Sequence, residues 1–369
     1  MSISGGGFSA SPVLRRYWYP VATEESLTTG PVARQLLGER IVVFKGRNGA
    51  PVAFADVCPH RNAPLSAGRT ARGQVTCPYH GWVFDDTGSC VMVPSAGSRH
   101  RLPPSARLMP YNACACYGLV WVALGPPATD IPACPDDDDP RFRRLNTPMV
   151  QWEASATRMV DNFLDTAHIP WVHRATFGSS AQQDVPDFRL EDLPNGFFGY
   201  TYEVQAANDD LSQAATGQRQ PVVHRRMTTG FTMPFTVRST IRYDSGLEHN
   251  IYLFTTPIDD VTSYFTFVVW RNDDFATSPQ EVLKLDLAIA AEDQHMLERI
   301  PGPLPLHSTG TVSVQADRAS VAWRRRLNTL LTSSLDTLGP GSRTCYPQSS
   351  NETAASPPRY PACETRSQS

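Results

Sequence analysis

Long apolar runs, basic clusters and cysteine are all scarce in this chain, and each scarcity removes a class of function. No stretch reaches the roughly 18 consecutive apolar residues that a membrane helix needs, so no span is predicted. The first residues, Met1 to Ala10, are rich in Gly and Ser rather than basic and then apolar. That predicts neither a signal peptide nor an anchor. The formal net charge is only −3 and the arginines are scattered, which argues against a nucleic-acid footprint and for small-molecule or protein partners. No Gly-rich strand-to-helix turn of the dinucleotide-binding kind is present. Cysteine is limited to eight of 369 residues. Two of the eight sit at metal-ligand spacing with histidines, so a reducing, cytoplasmic setting is expected rather than a disulfide framework.

What remains is ordinary globular material, long enough for two cores. From Tyr17 to about Leu124, short β-type runs (Arg40 to Lys45, Pro51 to Val57, Gly118 to Ala123) alternate with Gly, Pro and Asn, which predicts a small all-β domain. The segment Gly125 to Pro140 holds five prolines and five aspartates and almost no apolar pattern; it reads as an interdomain linker. A helix is predicted near Thr157 to Val172. Strands follow at Gly199 to Val204, Phe235 to Tyr243, Asn250 to Thr256 and Ser263 to Trp270, suited to an antiparallel sheet. Pro279 opens the longest helical pattern, ending near Ile300, and a last helix spans Asp317 to Leu338. The expected division is a flexible N-terminus (1–14), a β domain (15–125), a linker (126–149), a second domain (150–338) and a Ser/Pro/Thr-rich, disordered tail (339–369) that contains Cys345 and Cys363.

The most specific feature is Cys58-Pro59-His60 with Cys77-Pro78-Tyr79-His80 after it. Chance gives such a constellation with a probability on the order of one in ten thousand. A structural zinc and a [2Fe–2S] cluster of Rieske type both use two Cys and two His. Zinc fingers usually pair Cys with Cys and His with His, whereas here each short loop offers one of each. That favours iron–sulfur chemistry, with Gly81 letting the backbone approach and Trp82 as a core residue or shield.

A second constellation is Asp161-Asn162-Phe163-Leu164-Asp165-Thr166-Ala167-His168-Ile169-Pro170-Trp171-Val172-His173. On a continuous helix Asp161, Asp165 and His168 share one face, with His173 beyond a proline that ends it. A solvated face has the same pattern, but the opposite residues are apolar. The Pro279 to Ile300 helix adds Asp286, Glu292, Asp293 and Glu298.

Cys58-Pro59-His60-Arg61, Leu65, Gly68, Cys77-Pro78-Tyr79-His80-Gly81-Trp82 and Gly88 resemble the Rieske domain of the aromatic-ring hydroxylating oxygenases. Asp161, Asp165, His168 and His173 resemble that family's D-x₃-D-x₂-H-x₄-H pattern. The resemblance spans roughly residues 15 to 335. It implies an α+β protein: an N-terminal all-β Rieske domain, then a helix-grip catalytic domain with an antiparallel sheet. It also implies cluster ligands Cys58, His60, Cys77 and His80, and a mononuclear Fe(II) held by His168, His173 and one carboxylate. Asp293 is the expected carboxylate, Asp286 the reserve, and Glu292 and Glu298 are expected to face water. Cys90 is expected to be structural. By the same resemblance Asp165 bridges the cluster histidine His80 of one subunit to His168 of the next, which implies a head-to-tail ring, a homotrimer. Asn162 matches a position near the iron in demethylase-like members.

The implied activity is that of a monooxygenase component. It takes electrons from a separate NAD(P)H-dependent reductase or ferredoxin and uses O₂ to hydroxylate or demethylate an apolar, often aromatic, small molecule. The length, Asn162 and the Trp18-Tyr19-Pro20-Val21 start resemble the α-only branch of vanillate and dicamba O-demethylases. An electron-transfer protein without its own oxygenation chemistry, a ring-dihydroxylating dioxygenase and a zinc-stabilised binding module are the alternatives.

Overall fold

The computed structural model describes residues 7–97, 104–178, 183–273, 275–307 and 311–333. The tail from residue 334, with Cys345 and Cys363, and residues 1–6 lie outside the described residues. Among the described residues no helix is long and apolar enough to cross a membrane.

The N-terminal half is all β. Six antiparallel strands run in the order Tyr19–Thr23, Leu119–Ala123, Pro110–Cys116, Pro51–Ala55, Glu39–Lys45, Val32–Leu36. Beside them lies a four-stranded sheet of short strands between Arg69 and Met92. Leu119–Ala123 and Glu39–Lys45 are rich in β-branched and aromatic residues, and Leu119–Ala123 is buried along its whole length.

The C-terminal half is built on one antiparallel sheet. Its long strands are Phe197–Ala207, Val222–Thr232, Thr236–Tyr243, Glu248–Pro257 and Ser263–Arg271, neighbours in that order. The sequence reading found four of these; Val222–Thr232 was not among them. Among the described residues, five α-helices complete the half: α1 (Ala156–Phe163), α2 (Ile169–Val172), α3 (Asp210–Thr216), α4 (Pro279–Leu297) and α5 (Arg318–Thr332). α4 starts where Pro279 predicts, with the Ser278 side chain accepting from the Glu281 amide.

The period-2 alternation of the strands gives the sheet two different faces. On Glu248–Pro257, Tyr252 and Phe254 pack with Trp121 and Tyr117 of the N-terminal half, while Ile251 and Leu253 turn toward α1 and α4. Trp121 meets Phe254 edge to face at 5.0 Å, and Tyr117 meets Trp270 at 5.1 Å. One sheet therefore serves both as the seat of the first half and as the wall of a cavity beneath the helices.

Two segments outside the expected domains pack on the body. The stretch after Gly125, the expected linker, is docked on the sheet. Asp136 accepts from Asn250 at 2.6 Å, Asp137 accepts from the Trp270 indole at 2.8 Å, and Cys134 is buried. Its low apolar content concealed hydrogen bonds that only the sheet could supply. Residues 7–14 are likewise ordered on the body: Phe8, Val13 and Leu14 are buried, with Phe8 against Phe235 at 5.8 Å.

Candidate metal centres and the cavity between sheet and helices

Two loops of matching shape carry the Cys/His pairs. The Cys58 amide donates to the Ala63 carbonyl and the Asn62 amide to the Cys58 carbonyl; the Cys77 amide donates to Trp82 and the Gly81 amide to Cys77. Asn62 and Gly81 take equivalent positions at φ +56° and +70°. Those values explain an Asn at one and a Gly at the other, the two residue types that tolerate the left-handed region best.

The loops sort the four residues by type. Cys58 and Cys77 are buried side by side, whereas His80 is exposed and its ring meets the His60 ring at 4.4 Å. Trp82 stacks on His60 at 4.6 Å, and the His60 Nδ1 is buried with no hydrogen-bond partner. Burial pushes the Cys58 thiol up to about 11; a thiolate is favoured there only against a positive centre. An inner thiol pair and an outer imidazole pair fit a cluster with thiolates on one iron and imidazoles on the other. Among the described residues, His168, His173 and Asp293 form a group of three whose candidate ligand atoms all lie within 4.8 Å of one another. Cys90 is half-buried at the edge of the core around Cys58 and Cys77.

The second constellation is not a continuous helix. α1 ends at Phe163, and the Leu164 carbonyl is taken by the Tyr200 hydroxyl at 3.0 Å. Asp165 then accepts from the amides of Ala167 at 3.0 Å and His168 at 2.9 Å, opening α2 with Pro170 in its first turn. The expected single face is thereby corrected: an Asp that caps the next turn and a proline that starts it break the helix. Asp161 leaves the group and forms a two-pronged ion pair with Arg324 of α5 at 2.7 and 2.9 Å.

The break turns both histidines toward α4. The His168 and His173 Nε2 atoms lie 3.1 Å apart, and Asp293 Oδ1 is 3.5 Å from the first and 3.4 Å from the second. Asn162 donates to the same Asp293 oxygen at 3.0 Å. Behind the rings stand two further carboxylates. Asp165 Oδ2 meets His168 Nδ1 at 3.0 Å, and Glu292 Oε2 meets His173 Nδ1 at 2.9 Å. An ionised carboxylate only accepts, so each of these pairings favours the tautomer with the proton on Nδ1 and the Nε2 lone pair toward the gap. Burial, opposed by Asp293, lowers the pKa of His173 and favours the neutral ligand form. Burial tends to raise the pKa of Asp165, but the bonds from His168 and the backbone outweigh it and hold it below the ordinary carboxylate range.

Glu292 was expected to face water. Instead it also accepts from the Thr176 hydroxyl at 2.7 Å and the Ala175 amide at 3.2 Å, because the loop after His173 folds over that side of α4. Glu298 does lie at the surface, with Gln294. Asp286 is outside the group, 3.2 Å from His249 Nε2. Glu292→Gln keeps the volume and removes an acceptor oxygen; iron affinity is expected to fall between about 10- and 100-fold. Titration with a competing chelator measures this, and unchanged affinity would refute the orienting role.

The gap opens on a cavity of about 170 Å³ between the sheet and α4. Met227, Ile251, Leu253, Phe265 and Phe267 give it apolar walls. A wider recess of about 380 Å³ adjoins it past Thr166, Ile169 and Phe177. A three-ligand metal position beside an apolar cavity, on a chain that also carries a cluster-binding β domain, is the plan of a two-centre non-haem iron oxygenase.

The comparisons with known proteins agree. Residues 17–110 match the Rieske [2Fe-2S] domain, and residues 152–333 match the vanillate O-demethylase oxygenase C-terminal domain. The methylxanthine N1-demethylase NdmA of Pseudomonas putida is 29% identical over 86% of this chain and 89% of its own. The oxygenase component of dicamba O-demethylase from Stenotrophomonas maltophilia is 35% identical over 48% of this chain and 51% of its own. The solved structure of NdmA with caffeine superposes with a TM-score of 0.76, covering 86% of this chain and 91% of that one. This chain belongs to the Rieske oxygenase components. Its cofactors are a Rieske [2Fe–2S] cluster and a mononuclear iron, and it works with a separate electron donor.

Proposed function

We propose that this oxygenase hydroxylates a methyl group on a substituted aromatic or heteroaromatic molecule, and that on nitrogen or oxygen this amounts to demethylation. In that case the substrate methyl, O₂, two electrons and two protons give the demethylated product, formaldehyde and water. The convergence of His168, His173 and Asp293 at the wall of an apolar cavity carries the reading. The relatives support the reaction class: N1- and N3-demethylation of methylxanthines, O-demethylation of dicamba and a toluene-4-sulfonate monooxygenase.

In this reading Cys58, His60, Cys77 and His80 hold the cluster in a domain spanning 15–125, and His168, His173 and Asp293 hold the iron in one spanning 150–338. When bound, the cluster supplies electrons singly and the iron binds and activates O₂ beside the substrate. The chain's own residues do the rest. Asn162 orients Asp293 by donating to Oδ1, and the apolar walls exclude water and seat the methyl group.

Asp165 links subunits in the same proposal. Among the described residues no hydrogen bond or ion pair joins His60 or His80 to the three candidate iron ligands, and His80 is exposed. A ring of three, in a cytoplasmic setting, would bring the partner subunit's His80 to a further lone pair of the Asp165 carboxylate, beside the bonds from Ala167 and His168. Incubation with a surrogate reductase, NADH and methoxy- and N-methyl aromatics tests the function. Formaldehyde and a product lighter by one CH₂ are expected; NADH oxidation with no oxidised product from any methyl compound would overturn it.

A further inference from the structure

We infer that Tyr200 is a positioning residue: its hydroxyl keeps the chain broken between α1 and α2, and so keeps Asp165 set against the His168 ring. The inference rests on the reading of His168, His173 and Asp293 as the iron ligands. In an uninterrupted α-helix the His168 amide would donate to the Leu164 carbonyl, four residues back. Here that amide donates to Asp165 Oδ2 at 2.9 Å, and the Leu164 carbonyl accepts from the Tyr200 hydroxyl at 3.0 Å. Two acceptors compete for one amide, and Tyr200 occupies one of them. Pro170 acts further on, where its ring opposes the Thr166 carbonyl; it leaves the bond from His168 to Leu164 open.

Tyr200 is held where it can do this. It lies within the strand Phe197–Ala207 and is fully buried, its ring stacked on Phe188 at 4.1 Å and on Tyr202 at 5.9 Å. Burial, reinforced by Tyr202 and Asp165, pushes its pKa well above the ordinary phenol range, so the hydroxyl stays a donor. Leu164 is only 1% exposed, which keeps water from replacing that donor.

A buried carbonyl stripped of its donor is costly. Without the Tyr200 hydroxyl, the His168 amide can satisfy Leu164, but only by leaving Asp165. Asp165 Oδ2 takes both the amide and the ring Nδ1 of His168. Loss of the amide bond therefore loosens the contact that fixes the ring and aims its Nε2 at the gap.

The test is anaerobic titration of Fe(II) against a competing chelator, in protein that carries its cluster and has been emptied of mononuclear iron. Tyr200→Phe keeps the ring and removes the hydroxyl; its iron affinity is expected to fall about tenfold, with the cluster spectrum as in the wild type. Tyr117→Phe is the control. It removes a buried phenol that donates to the Pro132 carbonyl at 3.1 Å and accepts from the Cys134 amide at 2.9 Å, in the apolar cluster on the other face of the sheet. Wild-type iron affinity is expected there. The proposal is overturned if Tyr200→Phe binds iron like the wild type, if Tyr117→Phe weakens it equally, or if Tyr200→Phe loses fold and cluster along with the iron. His168→Ala serves as the reference. If it also keeps wild-type affinity, the ligand assignment fails and this inference with it; if only Tyr200→Phe does, this inference alone fails.

Discussion

His168→Ala is expected to abolish substrate oxidation, by roughly a thousandfold or more, while the visible and EPR spectra of the reduced cluster stay as in the wild type. The variant loses one of three donors that meet within 4.8 Å, and two donors of this kind hold Fe(II) poorly. It also strips Asp165 of its side-chain partner. The cluster loops are untouched, because Cys58 and Cys77 belong to a separate core with Phe54, Leu65 and Phe84. Undiminished turnover would remove His168 from the site. A changed cluster spectrum would mean that the two centres share a fold unit that the packing does not show.

Asp165→Asn is expected to slow cluster-to-iron electron transfer in single turnover, by about 10- to 100-fold. Asp165 uses both oxygens: Oδ1 accepts from Ala167, and Oδ2 from the amide and ring of His168. An asparagine has one acceptor oxygen, so whichever way the amide turns, its NH₂ meets another N–H donor. If the ring yields by moving its proton to Nε2, the lone pair facing Asp293 is lost. A merely structural role would lower stability and spare the rate. Mixing distinguishes the bridge between subunits: His80→Ala and His168→Ala chains, each inactive, should regain turnover when dissociated and reassembled together. An Asp165→Asn rate equal to wild type, or mixtures without activity, would contradict the bridge.

The sequence was informative where chemistry dictates spacing. Each Cys-x-His or Cys-x-x-His loop closes on itself by two backbone hydrogen bonds, so its geometry is nearly all local. The antiparallel sheet was legible for the same reason in four of its five long strands. Val222–Thr232 was not, because Arg225, Thr228 and Thr229 make a polar run; their partners are a cavity and neighbouring strands, not local sequence. The helix break after Phe163 comes from Asp165 and Pro170, with the Leu164 carbonyl it frees taken by Tyr200, thirty-six residues away, and apolar periodicity does not foretell it. Glu292 was misread because a charged residue next to a ligand is usually solvated; only the fold of residues 173–176 over α4 gives it partners. A Glu-Asp pair following Ala290-Ala291 was the available hint, since small residues let another segment approach.

The central claim is that one chain holds both an electron source and an oxygen-activating iron, the latter on His168, His173 and Asp293. Iron and acid-labile sulfide counted per chain in anaerobically reconstituted protein test it most directly. Two irons in the cluster plus one mononuclear iron, with two sulfides, are expected in the wild type, and loss of the single iron alone in His168→Ala. Zinc without sulfide, or a wild type and variant with equal iron, would contradict it.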